Sequence, residues 1–255
     1  MTAQIIDILP NKTALVQYAL TRSVEIIEQA IADHGYCTLA LAGGSTPKPI
    51  YEGLAQRELP WDKIYIFWGD ERYVPVDHPD SNAGMAKQAW LDQVSIPADQ
   101  VWVTPTTEGD PAQSAQRYED QIKAAFAPLQ SLAEADFPQF DLIWLGMGDD
   151  GHTASLFPHT AALAVADRWV AVGDKDGEPR ITFTVPLINH SRRVMVVAAG
   201  ASKQAALAQV FSATAADAAY PIRLVRPQGQ LDWLLDVEAV GDLNLPGARR
   251  VPSDS

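Results

Sequence analysis

The sequence predicts an α/β protein built on an open, mostly parallel β-sheet with helices on both faces. Short runs of apolar residues, with no polar residue at alternate positions, are typical of strands buried on both sides. These runs alternate with segments whose apolar residues recur at helical spacing, which favours parallel strands connected by helices. The chain has 255 residues, of which 47% are hydrophobic and 20% charged. It is therefore long enough and apolar enough to bury such a core.

The first predicted elements are a helix and a buried strand. Over residues 12–33 apolar side chains such as Leu15 and Ile27 recur at roughly helical spacing, and Gly35 follows the end of the pattern. A short apolar run at 36–42 then indicates a strand.

A tight turn and a second helix are predicted directly after this strand. The turn is formed by Gly43, Gly44, Ser45, Thr46 and Pro47. Proline suits the first turn of a helix, and we expect the hydroxyl of Ser45 or Thr46 to cap that helix.

The remaining elements continue the alternation. Further strands are predicted at 64–68, 140–145 and 194–199, and further helices near 83–92, 112–126 and 204–211. Shorter apolar runs at 169–172, 181–185 and 222–225 are predicted to be additional strands, at an edge or in a small subsidiary sheet. No stretch has the composition of a linker, so residues 1–245 are expected to form a single α/β domain and residues 246–255 a loose C-terminal tail.

Charge and composition exclude several classes of function. Lys and Arg number 19 and Asp and Glu number 32, which gives a formal net charge of −13 and argues against nucleic acid as a partner. The longest apolar run, 194–199, is far shorter than the ~20 residues of a spanning helix, so we expect no membrane partner and see no export signal. The single cysteine, Cys37, lies in an apolar run and is expected to be buried; a reducing cytoplasm fits best.

Ligands of an open parallel sheet bind beyond the carboxyl ends of its strands. The first such end, at 43–46, offers small residues, hydroxyl groups and backbone N–H groups that suit a phosphate. The alternative is that its two glycines only permit a sharp turn.

The end of the third predicted strand contains the pattern G-x-G-x-x-G, at Gly146, Gly148 and Gly151. This pattern is typical of dinucleotide sites. We reject that interpretation, because residues 149 and 150 are both aspartates that would face a pyrophosphate. Pro158 would also end any following helix after about one turn, whereas the dinucleotide motif opens a long helix.

The same glycines are better interpreted as presenting His152 at the edge of the sheet. Asp150 lies two residues away and is placed to orient the imidazole, whose usual pKa suits proton transfer near neutrality. The alternative is a histidine with a capping or surface role. There is no G-x-S-x-G, H-E-x-x-H or C-x-x-C pattern, so a nucleophilic serine, a zinc-protease type of metal site and a thiol-redox centre are not indicated.

Basic residues are few, so their positions are informative. Arg72 and Lys203 each follow a predicted strand, and Arg180 precedes one. In a chain of this negative charge an anionic substrate needs a local cluster of cations, and guanidinium groups favour phosphate. Each of the three could instead be a solvated surface charge.

Four segments together resemble the family of the 6-phosphogluconolactonases of the oxidative pentose phosphate pathway. They are LAGGSTP at 41–47, WGDERYVP at 68–75 with DSN at 80–82, LGMGDDGHTASLFP at 145–158 and GASK at 200–203, and LDWLLD at 231–236 resembles the C-terminal strand of the family. The likeness covers nearly the whole chain. It implies a Rossmann-like fold and hydrolysis of 6-phospho-D-glucono-1,5-lactone to 6-phosphogluconate without a cofactor.

The resemblance also implies roles for individual residues. His152 is expected to be the general base, with Asp150 and Asp70 beside it as catalytic candidates. The role of Asp70 stays open, because it matches the base of the related isomerases. The residues expected to bind the phosphorylated substrate are Gly43, Gly44, Ser45, Thr46, Glu71, Arg72, Arg180 and Lys203.

Two other functions remain as alternatives. The glucosamine-6-phosphate isomerases and deaminases resemble the chain in two segments, but they lack the inserted Arg72 before Tyr73 and place a glutamate where this sequence has Phe157. A non-catalytic sugar-phosphate sensor normally carries a DNA-binding helix-turn-helix, whereas few residues precede the first predicted helix here.

Overall fold

The computed structural model describes residues 3–107, 109–133 and 136–252. Its strands and α-helices are, in chain order, β1 (Ala3–Leu9), α1 (Lys12–His34), β2 (Cys37–Leu41), α2 (Lys48–Leu54), β3 (Ile64–Trp68), β4 (Asp70–Arg72), α3 (Asn82–Ala89), α4 (Pro111–Phe126), β5 (Leu142–Leu145), β6 (Val170–Lys175), β7 (Glu178–Phe183), α5 (Val185–Asn189), β8 (Arg193–Ala198), α6 (Gln204–Val210), β9 (Gln230–Asp236), α7 (Val237–Val240) and β10 (Arg249–Arg250). Short 3-10 helices cover Trp61–Lys63, Leu91–Gln93, Ala98–Gln100, Ala161–Ala164, Ala201–Lys203, Asp217–Ala219 and Pro221–Leu224.

The strands form a large parallel sheet and a small antiparallel one. The large sheet has seven strands in the order β10-β1-β9-β8-β5-β2-β3, and the small one has the order β4-β7-β6. All pairs in the large sheet are parallel. This confirms the predicted open parallel sheet, and the short runs near 170 and 181 form the predicted subsidiary sheet.

Helices cover both faces of the large sheet, as predicted. In β2, Leu39 and Leu41 belong to one buried cluster, which also contains side chains of α1. Ala40, between them, belongs to a second cluster, which contains side chains of α4. Because successive side chains of a strand point to opposite faces, the two clusters lie on opposite sides of the sheet. This explains why the run at 37–41 is apolar throughout and buries Cys37 completely.

The long first helix follows its sequence signals. The side chain of Asn11 accepts a hydrogen bond from Ala14 N at 2.9 Å at the start of the helix, as N-cap residues do. Gly35 ends it with φ of 88°, a left-handed conformation that favours glycine. The predicted helix at 12–33 is therefore confirmed to within one residue.

Two predictions about elements were wrong. The helix after the turn at 43–46 begins at Lys48 with Pro47 as its N-cap and no side-chain cap, so neither Ser45 nor Thr46 caps it. The run at 222–225 forms the 3-10 helix Pro221–Leu224 and not a strand. Ile222 in this helix and Val225 directly after it are both buried.

The expected loose tail is also contradicted in part. Arg249–Arg250 forms β10 and pairs in parallel with β1. The guanidinium of Arg249 donates two hydrogen bonds to the buried carboxylate of Asp7, at 2.8 and 2.9 Å. This pairing was not foreseen because β1 itself, with a charged residue at its centre, was not predicted as a strand.

The strand order places four predicted strand ends beside one another. The strands β8, β5, β2 and β3 are consecutive in the sheet, and the segments that follow their carboxyl ends meet at one edge. In the part of the chain that the structure describes, none of the helices combines the length and the apolar character needed to cross a bilayer.

Candidate active site

A cleft of about 280 Å³ lies at this edge of the sheet. It is lined by residues 42–47 after β2, residues 69, 70 and 72 after β3, residues 144–148 and 152–154 around the end of β5, and residues 197–199 and 203 around the end of β8, together with Asn82. The cleft is thus built from the loops that the sequence singled out.

Most of the predicted site residues line this cleft. They are Gly43, Gly44, Ser45, Thr46, Asp70, Arg72, His152 and Lys203. Among the described residues Asp150, Glu71 and Arg180 lie outside its lining, and each contacts a residue that belongs to it. The histidine and both cations that follow strands are therefore brought to one cavity.

The imidazole of His152 is held by Asp150. Its Nδ1 lies 2.6 Å from Asp150 Oδ1, and the backbone N–H of His152 donates to the same oxygen at 3.0 Å. A carboxylate at Nδ1 favours the tautomer in which Nε2 has no proton and can accept one. Burial raises the pKa of Asp150, but the two hydrogen bonds from His152 outweigh it, so the pKa lies below its usual value.

The backbone at Gly148 approaches this pair too closely for any other residue. A Cβ atom there would lie 2.0 Å from His152 Nδ1 and 2.6 Å from Asp150 Oδ1. This glycine therefore leaves room for the histidine–aspartate pair. No helix begins within residues 151–160, which agrees with the rejection of a dinucleotide motif.

An aromatic ring covers the histidine on one side. The ring of Phe157 lies 4.5 Å from that of His152, centroid to centroid, and Phe157 is 8% exposed. The sequence resemblance described above implies a glutamate at this position in the isomerases. The histidine therefore has an apolar neighbour here, where a ring-opening isomerase would need a carboxylate.

Asp70 places a second carboxyl group in the cleft. Its Oδ2 accepts a hydrogen bond from Ser155 Oγ at 2.7 Å, and its backbone oxygen accepts one from Asn82 Nδ2 at 2.9 Å. Burial raises the pKa of Asp70, although the hydrogen bond from Ser155 and the charges of Arg72 and His152 oppose the shift.

The two cations of the cleft are held by different partners. Arg72 Nη1 donates to the backbone oxygen of Asp80 at 2.6 Å. Lys203 Nζ lies 2.5 Å from Asp149 Oδ1, and this hydrogen bond lowers the pKa of Asp149. Arg72 is thus anchored to a neutral carbonyl, whereas Lys203 is paired with a carboxylate.

Arg180 lies beside the cleft. It is directly opposite Arg72 in the β4–β7 pair, and the two line an adjacent depression on the surface. Its Nη2 is 3.1 Å from Glu178 Oε2, and its side chain is 14% exposed. Arg180 therefore places a positive charge next to the cleft but does not line it.

Glu71 does not have the place that was expected of it. Its side chain is 2% exposed and points away from the cleft. Its carboxylate accepts hydrogen bonds from the backbone N–H groups of Arg72, Asn82 and Ala83 and from Ser81 Oγ. Since these bonds occupy both oxygens, direct binding of substrate by Glu71 is not supported.

Three contributors to the site were not singled out from the sequence as functional: Asn82, Ser155 and Asp149. The amide of Asn82 packs so closely on Gly43 that a Cβ atom there would lie 1.8 Å from Asn82 Oδ1. Asn82 and Ser155 lie in the segments that carry the family resemblance, so a signal existed but no role was assigned. Among the described residues no group of three or more His, Cys, Asp or Glu side chains is placed to hold a metal ion.

Comparisons with known proteins agree on one family. The family model described as glucosamine-6-phosphate isomerases/6-phosphogluconolactonase matches residues 10–233. A 6-phosphogluconolactonase of Synechocystis sp. is 55% identical over 234 residues, covering 92% of this chain and 96% of its own. One of Nostoc sp. is 53% identical over 240 residues, covering 94% and 98%.

Solved structures show the same fold. The 6-phosphogluconolactonase of Trypanosoma brucei superposes with a TM-score of 0.81 at 32% identity, covering 96% of this chain and all of that one. The enzyme of Trypanosoma cruzi gives a TM-score of 0.85 at 31% identity, covering 96% and 99%.

Proposed function

This chain belongs to the family of glucosamine-6-phosphate isomerases and 6-phosphogluconolactonases, and we propose that His152 activates the water that hydrolyses its substrate. The protein is an enzyme with 6-phosphogluconolactonase activity: it converts 6-phospho-D-glucono-1,5-lactone to 6-phospho-D-gluconate in the oxidative pentose phosphate pathway. The observation that carries the proposed mechanism is that the His152–Asp150 pair adjoins the cleft lined by Arg72 and Lys203.

The substrate is an activated ester, so a positioned water and a base suffice. As the water oxygen bonds to C1, Nε2 of His152 takes a proton from it, and a tetrahedral intermediate forms. When that intermediate collapses, the C1–O5 bond breaks and the imidazolium returns the proton to O5. General base catalysis of this kind typically contributes about 10²–10⁴-fold.

The two carboxyl groups near His152 have different proposed roles. Asp150 fixes the tautomer and orientation of the ring through its 2.6 Å contact with Nδ1. Asp70, which lines the same cleft as His152, stabilises the imidazolium formed during the reaction. Burial of Asp70 strengthens that interaction, because charges attract more strongly where water is excluded.

The phosphate group is proposed to bind to the cations and the glycine-containing loop of the same cleft. Arg72, Lys203 and the loop at 43–46 supply two cations, two hydroxyl groups and backbone N–H groups. Binding energy at the phosphate holds C1 near the water, which is how interactions remote from the reacting atoms increase the rate.

The contact between His152 and Phe157 argues against the isomerase or deaminase reaction. Sugar ring opening requires a proton relay beside the histidine, and a phenyl ring cannot take part in it. We therefore expect no ammonia from glucosamine 6-phosphate.

The test of this mechanism is hydrolysis of freshly generated 6-phosphogluconolactone, corrected for its spontaneous loss. His152→Ala is expected to lower kcat by at least about 10²-fold, because the general base is removed. His190→Ala, at a histidine that lies between α5 and β8 and outside the cleft, is the matched control and should keep wild-type kcat. A His152→Ala variant with near wild-type turnover would contradict the assignment.

The partners and location proposed for the enzyme follow from composition and site. The partner is the small phosphorylated lactone, with no nucleic acid and no membrane, and no cofactor is required. A cytoplasmic location suits a chain whose only cysteine, Cys37, is free and buried.

A further inference from the structure

Glu71 is the central residue of β4, between two residues that line the cleft. Asp70 and Arg72 both belong to the lining, and Glu71 does not. This agrees with the alternation of side chains along a strand, which directs residue 71 to the opposite face. A carboxylate that is almost fully buried is unusual unless its hydrogen-bonding capacity is used.

The carboxylate of Glu71 accepts four hydrogen bonds from two separate segments. Oε1 accepts from the N–H groups of Arg72 and Asn82, at 2.8 and 2.7 Å. Oε2 accepts from the N–H group of Ala83 at 2.8 Å and from Ser81 Oγ at 3.1 Å. Three of the four donors belong to the first turn of α3 and its N-cap, so Glu71 fixes that turn to the end of β4.

The turn held in this way supports both sides of the proposed phosphate site. Asp80, which precedes Ser81, provides the carbonyl oxygen that accepts from the guanidinium of Arg72. Asn82 packs its amide against the Cα atom of Gly43 and donates to the backbone oxygen of Asp70. A displacement of this turn would therefore move the Arg72 guanidinium and the loop at 43–46 together.

We propose that Glu71 is a positioning residue for phosphate recognition. It does not touch substrate, but it holds the Arg72 guanidinium and the loop at 43–46 in the geometry that binds a phosphorylated ligand. This inference rests on the proposed placing of the phosphate. The proposal requires a carboxylate at residue 71, because four hydrogen-bond donors point to this side chain. A glutamine has one acceptor oxygen and an NH2 group that would face a backbone N–H.

The experiment compares Glu71→Gln with Glu119→Gln. Glu119 is also a buried glutamate that accepts backbone N–H groups, those of Trp169 and Val170. Unlike the partners Arg72 and Asn82 of Glu71, these two residues do not line the cleft. The measurements are kcat and KM for 6-phosphogluconolactone, the Kd of 6-phosphogluconate by calorimetry, and the midpoint of thermal unfolding.

Glu71→Gln is expected to raise both KM and Kd about tenfold and to lower kcat by no more than about threefold. Most of the binding that is lost is common to the ground state and the transition state, and only the part that holds C1 near the water affects kcat. Glu119→Gln is expected to lower the unfolding midpoint and leave KM and Kd unchanged. Wild-type KM and Kd in Glu71→Gln, or an equal rise of Kd in Glu119→Gln, would overturn the proposal.

A double-mutant cycle tests the route through Arg72. In an Arg72→Ala background, Glu71→Gln is expected to raise the Kd much less than it does alone, because part of its effect depends on the guanidinium. If Glu71→Gln raises the Kd by the same factor with and without Arg72→Ala, Glu71 does not act through Arg72 and this part of the proposal is overturned. If Glu71→Gln does not fold, Ser81→Ala removes one of the four donors together with the N-cap hydrogen bond that Ser81 Oγ accepts from Gly84 N. It is expected to raise Kd about threefold, and an unchanged Kd would overturn the proposal. Wild-type kcat in His152→Ala would refute the proposed mechanism, whereas the Kd values would still report on Glu71.

Discussion

Asp149 and Asp150 are neighbours in sequence, yet their carboxylates serve different partners. Asp150 holds the imidazole of His152, and Asp149 holds the ammonium group of Lys203. The lowered pKa of Asp149 means that its charge persists well into the acidic range. In the free protein the cation proposed for phosphate is therefore partly neutralised, and a bound phosphate must compete with Asp149 for it.

Asp149→Asn is expected to tighten the binding of phosphorylated ligands. The amide keeps the size of the side chain but removes the competing charge, so the Kd of 6-phosphogluconate should fall about threefold at low salt, and less at high salt. Calorimetry at two salt concentrations measures both effects. Asp62→Asn, on the 3-10 helix before β3, changes the net charge equally and serves as control. Weaker binding by Asp149→Asn would contradict this account of Lys203.

At the scale of elements, the two-residue strand β10 joins β1 through backbone pairing and through one ion pair. The carboxylate of Asp7 is buried in β1 and accepts from Arg249 twice and from Tyr18 Oη once. A buried carboxylate that loses a partner keeps its desolvation cost. The exposure of the Arg249 side chain, 60%, reduces what the pair contributes.

Arg249→Ala is expected to lower the free energy of unfolding by about 1 kcal/mol, since Tyr18 still partly satisfies Asp7. Urea unfolding measures the change. The values of kcat and KM should stay the same, because β10 and β3 are the two opposite edge strands of the sheet. Arg250→Ala, in the same strand, is the control. A loss of activity in Arg249→Ala without loss of stability would be incompatible with a purely structural role.

A strand could be predicted where the residues within it are sufficient to indicate it. The run at 64–68 is apolar throughout, and β3 has those bounds. β1 was missed because Asp7 interrupts its apolar pattern, and the arginine that makes this charge tolerable is 242 residues away along the chain. Pairing at such separation leaves no local signal.

The candidate site shows the same limit. His152 could be found because its partner is two residues away and glycines surround it. Glu71 was assigned to substrate binding because its neighbours carry the family pattern. Its true surroundings, residues 81–83, could only be recognised once β4 and α3 were seen in contact.

At the scale of the whole molecule, the two buried clusters share the strands of one sheet. Leu142 and Trp144 of β5 belong to one cluster, and Ile143 and Leu145 to the other. The same strands therefore supply side chains to both clusters, so the loss of packing in one cluster disturbs strands that the other cluster needs.

We accordingly expect residues 1–245 to unfold as one cooperative domain. Far-ultraviolet circular dichroism and tryptophan fluorescence should give coincident transitions in urea, since a two-state protein has no populated intermediate. The tryptophans suit this test because Trp144 reports on one cluster and Trp233 on the other. Transitions that separate would indicate two independently folding units.

The cleft is built mainly from segments that follow strands, and the strands themselves carry the packing. Phe157, which faces His152 and distinguishes this chain from its isomerase relatives, lies in such a segment, beyond β5. The scaffold and the reaction are thus encoded by largely separate stretches of chain. A lineage with this architecture can exchange one sugar-phosphate chemistry for another by changing connecting segments, while the sheet beneath them is inherited unaltered.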